Sequence, residues 1–175
     1  SSSGNTDGSR PRVVYASELI DFRVHDWAPD GRHILAAGAT SNDPSSWRLP
    51  GSVQMLLISV TDGAVRVLKT LRTVEGWAAL AEHSAFFSSD GRYVVYDDAA
   101  PGSSEADIYF VATDGSREGP LVAYPGNDYV LGFVPGGDHL LFASERTGTS
   151  SGWMMRVRDG MPQGSPDLVK NHLGL

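Results

Sequence analysis

The sequence predicts an all-β chain made of a repeated four-stranded antiparallel unit, and three observations carry that expectation. Short apolar runs rich in Val, Leu, Ile, Tyr and Phe alternate with turn residues, 20 Gly and 10 Pro in 175 residues, and no helical period stands out. One turn opens a strand three times: Trp27-Ala28-Pro29-Asp30-Gly31-Arg32 before His33, Phe87-Ser88-Ser89-Asp90-Gly91-Arg92 before Tyr93, and Phe133-Val134-Pro135-Gly136-Gly137-Asp138 before His139. A second turn, Asp62-Gly63, Asp114-Gly115 and Asp159-Gly160, follows each unit's next apolar run.

Each element follows from this punctuation. In the first unit a strand ends at Trp27, a second runs His33-Ile34-Leu35-Ala36, a third Leu56-Leu57-Ile58-Ser59-Val60 and a last Val65-Arg66-Val67-Leu68. The second unit repeats this with Tyr93-Val94-Val95-Tyr96, Ile108-Tyr109-Phe110-Val111-Ala112 and Leu121-Val122-Ala123-Tyr124. In the third, His139-Leu140-Leu141-Phe142, Trp153-Met154-Met155-Arg156-Val157 and Leu168-Val169-Lys170 take the same places. An Asp-Gly pair between strand-like runs marks a hairpin, because Gly takes the positive φ that a tight turn of the right twist requires. Each unit therefore contains two hairpins. Asp62, Asp114 and Asp159 recur at spacings close to the roughly 40–45 residues of a propeller blade with modest insertions. The expected fold is a β-propeller with three four-stranded antiparallel blades, 19–70, 80–125 and 128–172.

Near the start, Thr6-Asp7-Gly8-Ser9-Arg10 echoes Thr113-Asp114-Gly115-Ser116-Arg117. Residues 5–16 are accordingly expected to be the remnant of a preceding blade, contributing one extra N-terminal strand. Three blades and a strand do not close a ring that takes about 4–8 blades. The propeller is therefore expected to be partial, or to complete itself as a homodimer with six blades. In a six-bladed homodimer the strand 11–16 would pair on the outside of the neighbouring copy's last blade.

Composition excludes several functions. With 14 Lys and Arg against 21 Asp and Glu, the net charge of −7 repels phosphate backbones, so nucleic acid is not an expected partner. No apolar stretch is long enough to span a membrane. The absence of Cys removes thiol catalysis, disulfides and cysteine metal sites, and leaves the compartment open.

Ala28-Pro29-Asp30-Gly31-Arg32 before a strand, and Asp107-Ile108-Tyr109-Phe110-Val111-Ala112-Thr113-Asp114-Gly115-Ser116 in the next unit, resemble the WD-like propeller repeat of TolB and its relatives. The third unit departs from it, with Gly136 in the aspartate position and Asp138 in that of Arg32 and Arg92. The resemblance implies a bacterial, periplasmic or otherwise extracytoplasmic location and a role in protein interaction; composition leaves the cytoplasm open as well. The repeat also resembles the lid propeller of prolyl-oligopeptidase-type serine peptidases, whose hydrolase domain follows the propeller.

Alternating strand direction places both Asp-Gly turns of a blade on one face and the long irregular segments on the other. Those segments are 38–53, 69–81, 97–106, 125–129 and 144–152. Long loops on a rigid scaffold are where binding resides. Candidate binding residues there are Trp47, Arg48, Glu75, Trp77, Glu105, Asp107, Tyr129 and Arg146. Trp and Arg are typical contact anchors, although a loop tryptophan equally well folds back onto its own blade. The loop tryptophans also admit a carbohydrate reading, whereas Trp27 and Trp153 belong to strands and are expected in the core.

Asp97, Asp98, Glu105 and Asp107 cluster near one loop, but their spacing matches no calcium loop, and solvated acidic residues are the ordinary case. His33 and His139 share a strand-start position with Tyr93, which predicts packing rather than metal ligation. Gly148-Thr149-Ser150-Ser151-Gly152 matches a nucleophile-elbow pattern, yet a strand follows it where the elbow needs a helix. No base is placed beside a Ser or Thr nucleophile. The expectation is a non-catalytic binding module with no cofactor and no metal.

Overall fold

The computed structural model describes residues 2–3, 12–16, 21–40, 52–71, 84–99 and 105–174. Two short N-terminal strands, β1 (Ser2–Ser3) and β2 (Arg12–Val13), pair with each other in a ribbon of their own. Three antiparallel sheets follow. The first holds β3 (Asp21–Trp27), β4 (His33–Thr40), β5 (Ser52–Ser59) and β6 (Val65–Leu71). The second holds β7 (Ala85–Phe87), β8 (Tyr93–Ala99), β9 (Ala106–Ala112) and β10 (Glu118–Val122). The third is built from β11 (Asp128–Phe133), β12 (His139–Ser144) and β13 (Ser151–Arg158), with β14 (Met161–Pro162) and β15 (Asp167–Lys170) both pairing with β13. A strand sharing the fourth position with a second short strand is the main departure from the expected unit.

Within each sheet every strand pairs with a neighbour in sequence, except β15, which passes β14 and pairs with β13. The turns behave as their residues dictate. Gly31, Gly63, Gly91, Gly115 and Gly160 all have positive φ, and the Asp before the Gly caps the turn by accepting a main-chain N–H two residues on, as from Arg32, Ala64, Arg92 and Ser116. First and second turns of each unit do share one face: Val60 N–H donates to the Arg32 carbonyl, Thr113 N–H to that of Arg92, and Val157 N–H to that of Asp138.

Strand alternation divides the apolar residues into two inter-sheet layers. Leu35, Ala37, Val53, Met55 and Leu57 of the first sheet meet Ala85, Phe87, Val94, Tyr96 and Val111 of the second. Tyr93, Val95, Ile108 and Phe110, on the second sheet's opposite face, meet Val130, Leu140, Phe142, Met155 and Val157 of the third, with Trp153 packed against this layer. The middle sheet is thus apolar on both faces, which is how a blade between two others must read.

The outer face of the first sheet is different. Ala36, Leu56 and Ile58 are buried there beneath Val14, Tyr15, Phe22 and Ile34. Trp27 pairs with Ile34, Val24 with Ala36, Val65 with Ile58 and Val67 with Leu56, so all four lie on this face, and all four are exposed. Trp27 is 50% exposed, which corrects the expectation that it belongs to the core. Among the described residues, Val14 and Tyr15 pack on the buried centre of this face and no further four-stranded sheet covers its flanks. At the other end, Tyr129 and Leu131 of β11 and Leu168 and Val169 of β15 are also exposed.

The histidines correct a second expectation. Tyr93 is buried and reaches the Val157 carbonyl, whereas His33 and His139 are half-exposed beside Asp30 and Asp138.

Candidate functional site

Polar side chains converge where the loop face of the second sheet meets the connection 123–127 and the start of β11. Pro125-Gly126 turns the chain, with Gly126 at φ +92°, and Asn127 then ties three segments together. Its Oδ1 accepts the Ala106 N–H at 3.1 Å, and its main-chain and side-chain N–H groups donate to Glu145 Oε2 at 3.0 and 2.9 Å. These bonds stabilise the charged form of Glu145 and hold its carboxyl below the usual range. Gly126 N–H points to Glu105 Oε2 at 3.4 Å.

Beneath this rim lies a charged pair. Asp128 is fully buried at the head of β11, and its Oδ2 accepts the Tyr124 N–H at 3.0 Å. Its Oδ1 lies 3.7 Å from Arg146 Nη2, with the arginine side chain 9% exposed. The guanidinium carbon sits 3.9 Å from the Tyr124 ring centroid, 4.8 Å from Trp153 and 5.1 Å from Phe142, an aromatic enclosure for a cation. Burial raises the Asp128 carboxyl, against the lowering effects of Ser144, the Tyr124 N–H and Arg146. Burial also raises Asp107, reinforced by the negative charges of Asp128 and Glu105.

Of the candidate binding residues, the fold brings Glu105, Asp107 and Arg146 to this junction. Arg146 is an internal keystone there and presents little surface. Tyr129 follows Asp128 and is exposed. Trp47, Arg48, Glu75 and Trp77 lie outside the described residues. Tyr124, Asn127, Asp128 and Glu145 were not singled out from sequence; the available signal was Asp128, a carboxylate at an inward position of an alternating strand.

The acidic group around 97–107 divides differently from its reading as one loop. Asp97 and Asp98 are buried residues of β8. Asp97 acts as a clamp, Oδ1 accepting the Ser84 N–H at 2.9 Å and Oδ2 the Val130 N–H of the third sheet at 3.1 Å. A matching bond joins the first two sheets, from Phe87 N–H to Asp26 Oδ2 at 2.9 Å.

Crevices between sheets also open on the turn face. One of about 300 Å³ has Ala28, Leu57 and Phe87 among its lining, with Asp30, Arg66 and Asp114; one of about 240 Å³ lies by Tyr93, Phe110, Arg117 and Asp159. Arginines bridge both: Arg66 donates to the Thr113 carbonyl, Arg92 reaches Asp159 Oδ1 at 2.5 Å, and Arg117 donates to the Asp159 carbonyl at 3.0 Å. Tyr93 has its phenol pushed up to about 12, chiefly by burial, and stays protonated at neutral pH. In the Gly148–Gly152 segment, Ser151 is buried and begins β13, so the strand expected after this pattern is present.

No family model matches the sequence, and no curated protein matches it. Solved structures do match the fold. TolB from Acinetobacter baumannii superposes with TM-score 0.62 at 18% identity over 97% of this chain and 42% of its own. The β-propeller domain of the Trilobed protease from Pyrococcus furiosus gives 0.61 at 10% identity, covering 87% of this chain and 43% of that one. A prolyl endopeptidase structure gives 0.56 at 16% identity, covering 86% and 22%. The chain therefore spans about two-fifths of the length of the TolB structure it matches. At these identities the likeness carries the fold: the chain has the sheet arrangement of a β-propeller of the kind seen in TolB and in the peptidase propellers.

Proposed function

We propose that the chain is a non-catalytic binding module, three blades of a propeller whose loop face meets a protein partner. The observation that supports this reading is the junction around Asn127. Exposed Tyr124 and Tyr129 and the carboxylates of Glu105, Asp107 and Glu145 surround a segment held by side-chain bonds from three loops. Rigid aromatics beside fixed charges are the composition of a contact surface. The carboxylates suit a partner with a basic patch, in keeping with the net charge of −7. An extracytoplasmic location goes with the TolB likeness.

The uncovered apolar faces at the two ends support a second contact, between copies, in which two chains complete a six-bladed ring. The lid propeller of a serine peptidase is the rival reading, favoured by the likeness to prolyl endopeptidases; under it a hydrolase domain with its own nucleophile elbow is part of the same protein.

The test compares the wild-type chain with a Tyr129→Ala/Glu105→Lys variant in affinity capture from a bacterial envelope extract. A partner held by the first and lost by the second supports the site. Equal retention by both refutes it, and turnover of peptidyl chromogenic substrates by the purified chain refutes the non-catalytic reading.

A further inference from the structure

Three buried side-chain atoms of the third sheet and its loops have no hydrogen-bond partner: Asp128 Oδ1, Arg146 Nη2 and Trp153 Nε1. The side chains that carry them are neighbours. Oδ1 and Nη2 face each other at 3.7 Å, and the indole belongs to the ring 4.8 Å from the same guanidinium carbon. Other atoms of both charged groups are engaged. Asp128 Oδ2 takes the Tyr124 N–H, Arg146 Nε donates to Ser144 Oγ at 2.9 Å, and Tyr124 and Phe142 lie against the guanidinium.

A gap of 3.7 Å exceeds the roughly 2.7–3.2 Å of a direct N–H···O bond, yet both ends are polar and cut off from solvent. Buried groups in that condition are characteristically joined by ordered water with two to four partners. The chemistry of the three atoms selects among small ligands. Nη2–H and Nε1–H require an acceptor, and Oδ1 requires a donor. An anion would meet the Asp128 carboxylate and a cation would meet Arg146, so a neutral molecule that both accepts and donates is needed. The aromatic enclosure limits its size.

We propose that Asp128, Arg146 and Trp153 form a binding site for a single water molecule, which accepts from Nη2–H and Nε1–H and donates to Oδ1. The Asp128–Arg146 pair is then a water-bridged pair, and the connection 123–127 is anchored through it. This holds whether or not the loop face binds a protein.

Nuclear Overhauser spectroscopy on the ¹⁵N-labelled chain tests it. The Trp153 indole N–H, assigned by the Trp153→Phe variant, is expected to show a cross-peak to long-lived water, and a crystal structure to show solvent density within about 3.2 Å of all three atoms. If Trp153→Phe does not fold, Phe replacements of Trp27, Trp47 and Trp77 assign the signal by elimination. A Trp153 indole without a water cross-peak overturns the proposal. So does a crystal structure in which Arg146 binds Asp128 directly.

Discussion

Gly115 and Gly160 occupy the same place in successive second turns, at φ +79° and +72°, but their surroundings differ. A Cβ on Gly115 meets nothing within 4 Å, whereas one on Gly160 would stand 2.5 Å from Phe110 Cδ2, in the layer between the second and third sheets. Gly115→Ala should therefore lose only the cost of a left-handed residue, about 1 kcal/mol. Gly160→Ala should lose at least twice that, because Phe110 must move within a packed layer. Chemical denaturation of both variants checks the order, and equal losses would contradict the contact. Asp90 carries a second residue-scale prediction. Burial pushes its carboxyl up, but the hydrogen bonds from Ser88 and from Arg92, with the Arg92 charge, outweigh this and hold it below its ordinary value. A carboxyl lowered on folding adds stability at neutral pH that is lost as pH falls through the folded pKa. The melting temperature of Asp90→Asn should thus fall less than that of wild type between about pH 6 and pH 3.

The elements are held to one another by apolar layers and by few polar clamps, and Asp97 is the clearest clamp. It is 1% exposed and accepts N–H groups from Ser84 in its own sheet and Val130 in the next. Asp97→Ala leaves two main-chain donors without their acceptor, and the expected loss is about 2 kcal/mol or more, read by urea denaturation. Asp26→Ala frees the Phe87 N–H across the other junction at a less buried site, and its loss should be smaller. Strand positions were legible in the sequence because Asp-Gly turns and alternating apolar residues are local signals. The clamp was not. Asp97 and Asp98 stand beside Pro101-Gly102-Ser103-Ser104 and read as solvated loop carboxylates, since the N–H groups that justify burying Asp97 come from Ser84 and from Val130 of the third sheet, 13 residues before and 33 residues after it. The same turn logic assigns Glu105, Asp107 and Arg146 to the loop face. Their meeting beside residues 126–128 depends on contacts between loops, Glu105 with the Gly126 N–H and Arg146 with Asp128, for which sequence spacing carries no signal.

At the scale of the whole molecule, the two end sheets behave unequally to the middle one. Val94 and Val95, adjacent in β8, are both fully buried, one toward each neighbouring sheet, whereas Val24, Trp27, Val65 and Val67 of the first sheet remain open to solvent. Contiguous apolar surface of several hundred Å² seldom persists on a monomer, and a blade face is shaped to meet another blade. A second copy can offer one, because the opposite end exposes Tyr129 and Leu131. That contact joins unlike faces, so it closes only if each copy spans half a ring. Light scattering of the chain at tens of micromolar should then give the mass of a dimer and not a ladder of larger species. Val24→Asp places a charge on the open face without touching either internal layer, and it should return the mass to that of one chain while leaving the melting temperature within about 2 °C of the wild type measured under dissociating dilution. A wild-type chain that is monomeric at those concentrations would refute ring completion by a second copy and leave the end faces to other blades of the same propeller.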